Sequence, residues 1–315
     1  MNNRRSFIIG VKSTTLSKKE IVFLKKYKPW GVILFTRNIK SISQTKKLTS
    51  NIRKILSDDK YPIMIDQEGG RVSRLENIIS SKCFSSQFFG NKYKKSFNDF
   101  KIYYKLFIDK TSNLLKIIGV NLNTVPVLDL RYKGSTKIIG DRSYSNNSNT
   151  VSKIGDFCIK SYQNNSIGTI MKHIPGHGLA KVDSHYSTPI IDKDLEYLIN
   201  KDFKAFRNKK TLFAMTGHLI FKNIDNKNTV THSKKMIGII RKIIRFKNIL
   251  ISDDLSMKSL KKNLKLNTID AFKAGCNLVL HCNGNLKEME IIAKNSPLIN
   301  KFIIEKTSQF YKILR

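Results

Sequence analysis

Gly168-Thr169-Ile170-Met171-Lys172-His173-Ile174-Pro175-Gly176-His177-Gly178 begins as a largely apolar run and turns, within a few residues, into a basic and turn-forming cluster. The run Gly168–His173 predicts a strand covered on both faces, since its apolar residues do not alternate with polar ones. The polar cluster then falls at the C-terminal end of that strand, where parallel α/β sheets carry their chemistry.

Seven similar runs flank it: Phe7–Val11, Gly31–Phe35, Tyr61–Asp66, Val120–Leu128, Leu212–Gly217, Asn248–Ser252 and Cys276–His281. They recur roughly every 30–50 residues with helix-period segments between them, which is the pattern of repeated βα units. The clearest helix start is Leu16-Ser17-Lys18-Lys19-Glu20-Ile21, where Ser17 and Glu20 make a capping box and Leu16 can staple onto Ile21. A second helix is predicted from about Asp99 to Ile118, with Ile102, Leu106, Leu114 and Ile117 among its apolar positions and Gly119 placed to end it. Five of the eight predicted strand ends carry dense polar clusters, which favours a closed (β/α)8 TIM barrel over an open doubly wound sheet. No Pro/Gly/Ser-rich linker or internal repeat interrupts the chain, so residues 1–315 are expected to form a single catalytic domain.

The composition carries 58 Lys+Arg against 23 Asp+Glu, a formal net charge of +35. Such an excess points to nucleic acid or anionic surfaces when it is concentrated with interleaved aromatics. Here the lysines are spread through every segment beside abundant Ile and Asn, as in a proteome drifting toward AT-rich codons, so a nucleic-acid partner is not expected. No apolar run reaches the length of a membrane span or a signal peptide, and a cytoplasmic monomer is expected. Cys83, Cys158, Cys276 and Cys282 are scattered without CxxC spacing and read as reduced, mostly buried thiols.

Three clusters could do chemistry. Asp66-Gln67-Glu68-Gly69-Gly70-Arg71-Val72-Ser73-Arg74 joins a carboxylate and guanidinium groups through a tight glycine turn, and Asp66 could accept hydroxyl protons of a ligand or merely brace the loop through an arginine. Lys172–Gly178 is followed by Asp183-Ser184-His185, where an extended backbone puts Asp183 and His185 on one face as a carboxylate–imidazole dyad, or leaves His185 as a solvent-facing loop histidine. His173 and His177 have the spacing of a zinc-binding helix, but Pro175 and Gly176 forbid that helix, so no metal or other cofactor is expected. In Ser252-Asp253-Asp254-Leu255-Ser256-Met257 only one of the adjacent acids can face the barrel mouth, and the local pattern does not say which.

Taken together, these blocks resemble the bacterial β-N-acetylglucosaminidases of glycoside hydrolase family three that act in peptidoglycan recycling. The resemblance spans nearly the whole chain and includes Gly31–Asn38, Asp66–Val72, Pro126-Val127-Leu128-Asp129, Gly140-Asp141-Arg142-Ser143-Tyr144, Lys172–His185 and Ser252–Met257. It implies Asp253 as the covalent nucleophile, with Asp254 in support. It further implies His185 on a mobile loop as the general acid/base, held by Asp183, and Asp66, Arg74, Arg142, Lys172 and His173 as binders of the N-acetylglucosamine ring. His177 matches a loop-structuring position. Nearby cationic charge from Arg142 and Lys172 would keep Asp253 ionised, and by resemblance the substrate is N-acetylglucosaminyl-1,6-anhydro-muramic acid with or without its peptide. Asp141 stands where Glu is more usual and Gly217 where Ala is more usual; neither change should displace the ring-binding residues. Larger relatives add a C-terminal domain that is not expected here. Two other readings compete: a relative that transfers the sugar to phosphate, and a non-catalytic binder of nucleic acid or anionic cell-wall material.

Overall fold

The computed structural model describes residues 3–134, 138–184 and 186–314. Eight strands form a closed parallel barrel: β1 (Arg5–Gly10), β2 (Pro29–Leu34), β3 (Ile63–Ile65), β4 (Leu122–Asn123), β5 (Gly168–Ile174), β6 (Phe213–Thr216), β7 (Ile249–Asp254) and β8 (Leu278–His281). Each pairs with its neighbours in sequence, and β8 closes on β1 through Phe7–Val279, Ile8–Leu280 and Ile9–His281. The protein is therefore a TIM barrel, and all eight strands fall on the predicted runs. Four of them, β3, β4, β6 and β8, are shorter than those runs. The stretch 120–128 leaves the ladder after Asn123 because Pro126 has no N–H to give; its carbonyl instead accepts from Lys172, and Leu128 rejoins β5 by donating to the Lys172 carbonyl. Tyr61 and Pro62 likewise lie outside β3.

Around the barrel run α1 (Lys18–Tyr27), α2 (Ile42–Leu56), α3 (Ser86–Lys95), α4 (Phe97–Ile117), α5 (Ser148–Asn164), α6 (Leu195–Asn200), α7 (Lys234–Lys242), α8 (Leu264–Ala274), α9 (Leu286–Asn295) and α10 (Lys301–Ile313). The capping box at Ser17 and Glu20 is present, with Leu16 packed against the core. Gly119 takes φ +76 after α4, where a Cβ would come within 2.4 Å of Thr49 Oγ1. The face that α4 buries differs from the residues that announced the helix: Phe100, Tyr104, Ile108 and Leu115 are buried, while Ile102, Leu106 and Ile117 are exposed. An aromatic cluster of Phe89, Tyr93, Phe100, Tyr104 and Phe157 takes the inner side of the helix.

The barrel interior is a packed core of Ile8, Trp30, Ile33, Met64, Ile170 and Phe213 with their neighbours. Its N-terminal end is closed by α10, whose Phe310 packs on Phe213 and whose Thr307 accepts from the Trp30 indole N–H at 2.9 Å. With one end sealed by this helix, only the C-terminal end is left for a ligand. The four cysteines are free thiols; Cys158 and Cys276 are buried, Cys282 is half-buried and Cys83 is exposed. Among the described residues no helix is long and apolar enough to cross a membrane.

Candidate active site

At the C-terminal ends of the strands lies a cavity of about 200 Å³. Asp66, Arg74, Arg142, Lys172, His173, Asp183 and Asp253 all line it, so seven of the eight residues singled out from the sequence meet at one place. The eighth, His185, lies outside the described residues. Met215, Met257 and Leu280 give the cavity an apolar side.

The charged side is built on Lys172. Its ammonium lies 2.9 Å from Asp66 Oδ1 and 2.7 Å from Glu68 Oε1, and donates to Thr124 Oγ1 at 2.8 Å. Arg142 grips Glu68 with two parallel 2.8 Å hydrogen bonds, from Nε to Oε2 and from Nη2 to Oε1. Arg74 approaches the other Asp66 oxygen at 3.5 Å. The turn that allows this places Gly69 and Gly70 at positive φ, +94 and +60, with Phe84 and Ser85 too close behind them for side chains. Burial alone would raise the Glu68 carboxyl, but Arg142 and Lys172 outweigh it and hold Glu68 at about 2. Asp66 is likewise held well below the usual carboxylate range, burial being overcome by Lys172 and Arg74. Burial would push the Lys172 ammonium down, and Asp66 and Glu68 together raise it instead. The direct contacts of these cations are with Asp66 and Glu68. Glu68 had no role in the sequence reading; its signal was the two-residue spacing from Asp66, which puts both carboxylates on one side of an extended segment.

A second unstated hub is Asp129. Fully buried, it accepts from the backbone N–H of His173 at 3.2 Å, from that of His177 at 2.6 Å, and from His173 Nδ1 at 2.6 Å. Burial disfavours its charge, yet His173 and the His177 backbone keep its pKa below the ordinary value. His177 is pushed down to about 4 by burial and then by His173, and its Nε2 lies 3.2 Å from Ser184 Oγ, tying together the two ends of the loop before His185.

The adjacent acids of β7 separate as alternation requires. Asp253 lines the cavity, and its Oδ1 accepts the Asp254 backbone N–H at 2.8 Å. Asp254 accepts from Ser256 N and Oγ and from Cys282 N, which braces the turn after the strand.

Beneath the Pro175-Gly176-His177 turn, Asp202 is buried with Tyr132 OH donating to Oδ2 at 2.7 Å and Oδ1 unpartnered; a side chain at Gly176 would meet it at 2.8 Å. Burial, reinforced by Asp129, raises Asp202 from 3.8 to about 7. The folded chain thus keeps a proton that the unfolded chain releases near its ordinary value. The stabilising contribution is full below about 4 and is lost as pH rises toward 7. Asp202→Asn is expected to flatten that slope, as read from urea midpoints at mildly acidic and mildly alkaline pH; an unchanged slope would contradict the assignment.

The family described as Glycosyl hydrolase family 3 N terminal domain matches residues 8–308. A β-hexosaminidase of Haemophilus ducreyi is 32% identical over 282 residues, covering 88% of this chain and 80% of that protein. The crystal structure of NagZ from Neisseria gonorrhoeae in complex with N-trifluoroacetyl-D-glucosamine superposes with a TM-score of 0.88 at 26% identity, covering 98% of this chain and 90% of that one. A family 3 β-N-acetylglucosaminidase from Paenibacillus sp. str. FPU-7 shares the fold with a TM-score of 0.86 at 22% identity, and this chain spans 60% of its length.

Proposed function

The chain belongs to glycoside hydrolase family 3, and from that membership we propose that it is a retaining, exo-acting β-N-acetylglucosaminidase with Asp253 as nucleophile and a His185/Asp183 acid/base dyad. The substrates proposed are peptidoglycan fragments, N-acetylglucosaminyl-1,6-anhydro-muramic acid with or without its peptide, cleaved in the cytoplasm by a monomer whose site this single-domain barrel completes alone. The observation that carries this reading is the convergence of Asp253 and Asp183 on the cavity bounded by Asp66, Arg74, Arg142, Lys172 and His173. Curated relatives named β-hexosaminidase and a NagZ neighbour bound to an N-acylated glucosamine support the choice of sugar.

In the proposed reaction a carboxylate oxygen of Asp253 attacks the anomeric carbon. The bond from that carbon to the leaving oxygen breaks, and the leaving oxygen takes a proton from His185. His185 then accepts a proton from water, whose oxygen attacks the same carbon and frees Asp253 and the sugar with net retention. Imidazole can serve both steps near neutral pH without a strongly raised carboxyl pKa. Asp66, already ionised by its cationic neighbours, is an acceptor for sugar hydroxyls. Asp66→Asn is expected to lower kcat/KM by about 10- to 100-fold, chiefly through KM, the range for loss of a hydrogen bond to a charged group.

The deciding experiment is release of p-nitrophenol from the β-N-acetylglucosaminide, followed by product analysis in phosphate buffer and comparison of chitobiose with the anhydro-muropeptide. Free sugar as the main product supports hydrolysis, and sugar phosphate would transfer the chain to the phosphorylase reading. An inert but folded protein would overturn the catalytic proposal.

A further inference from the structure

A second cavity, of about 390 Å³, lies between the 75–85 segment and α4. Its wall is apolar, formed by Leu75, Ile79, Phe84, Leu106, Phe107 and Leu114. Two of these are more than half exposed, Ile79 at 55% and Leu106 at 53%, and the apolar stripe continues one helical turn back to Ile102 at 66%. The helix already buries its opposite side in the core through Phe100, Tyr104 and Ile108, so this outer stripe is a second apolar face, which no described segment covers. Clusters of this kind mark contact surfaces more often than isolated exposed side chains do.

The charges around it narrow the partner. Lys110 lines the cavity, and Lys101 and Lys82 stand exposed beside the stripe. The acids of this helix are Asp99 and Asp109, and Asp109 is engaged by Lys105 and Asn165. A second copy of the chain would set these lysines against one another on a protein already at +35. Nucleic acid binds through aromatic faces and phosphate; Phe84 and Tyr103 are exposed here at 41% and 48%, but they sit among the more exposed aliphatic side chains Ile79, Ile102 and Leu106, which offer no face for a base to stack on. An anionic bilayer suits both features at once: aliphatic side chains enter the acyl boundary while lysine ammonium groups reach the lipid phosphates.

We propose that the face formed by the 75–85 segment and α4 docks this protein peripherally on an anionic phospholipid membrane. Docking is independent of the sugar chemistry, since neither Ile102 nor Leu106 lines the cavity of Asp253. The test is co-sedimentation of the full chain, at physiological salt, with phosphatidylcholine vesicles with and without phosphatidylglycerol. The wild type is expected to bind the anionic vesicles about tenfold more tightly, and Ile102→Ser/Leu106→Ser to lose about tenfold while keeping its melting temperature and its turnover of a soluble glycoside. Binding that the double variant retains in full would reduce the effect to diffuse net charge and overturn the proposal. So would equal binding to both vesicle types, displacement by RNA at stoichiometric amounts, or a dimer in solution that the double variant dissociates.

Discussion

Asp253→Ala is expected to lower kcat on the p-nitrophenyl β-N-acetylglucosaminide by about four orders of magnitude or more while leaving the fold intact. Removing a nucleophile from a two-step displacement leaves only binding and electrostatic contributions, and comparable deletions cost on this scale. The fold should survive because, among the described residues, the Asp253 carboxylate is held by the adjacent Asp254 N–H rather than by a long-range partner. Asp254→Ala is the contrast: its carboxylate accepts from Ser256 and from Cys282, so stability should fall along with activity. Kinetics, thermal melting and intact-mass detection of a trapped glycosyl adduct check the pair. If Asp253→Ala keeps activity within tenfold of wild type, the nucleophile is another residue.

Lys172→Met is expected to destabilise the protein by about 3–5 kcal/mol, the range for removing one partner of a buried ion pair. Lys172 is almost wholly buried and contacts Asp66, Glu68 and Thr124, so its loss leaves Asp66 to the more distant Arg74 and Glu68 to Arg142 alone. Lys172→Met/Asp66→Asn should recover part of that loss, because Asp66 is the carboxylate left poorly compensated while Glu68 keeps its bidentate pair with Arg142, and the double-mutant cycle from urea denaturation measures the coupling. A single-variant loss below about 1 kcal/mol would mean that Lys172 is not the charge that holds these carboxylates in place. The same network gives an acid limb. Glu68 is depressed to about 2, so its contribution is present above its ordinary value near 4.5 and is lost as pH falls through the folded value.

The barrel was legible because its strands are apolar on both faces and punctuated by polar clusters at one end. That pattern comes from burial between an inner core and an outer helix layer, and it needs no knowledge of which strand pairs with which. The capping box at Ser17 and Glu20 was legible for a similar reason, since all its partners lie within one turn of the chain. At α4 the sequence shows apolar residues on two sides of one helix. Periodicity alone cannot rank the two, and the aromatic cluster around Phe100 and Tyr104 decided which side turned inward.

The amino-acid sequence by itself determined the repeated βα architecture, the residues available for chemistry and the strand ends from which they project, because these follow from local pattern and spacing. Only the tertiary structure decided that Asp253 and not Asp254 faces the cavity, that Glu68 joins Lys172 to Arg142, and that Asp129 gathers His173 and the His177 backbone. Each of these depends on residues tens of positions apart being brought within hydrogen-bonding distance by barrel closure. Long-range pairing of that kind leaves no periodic trace in a single chain.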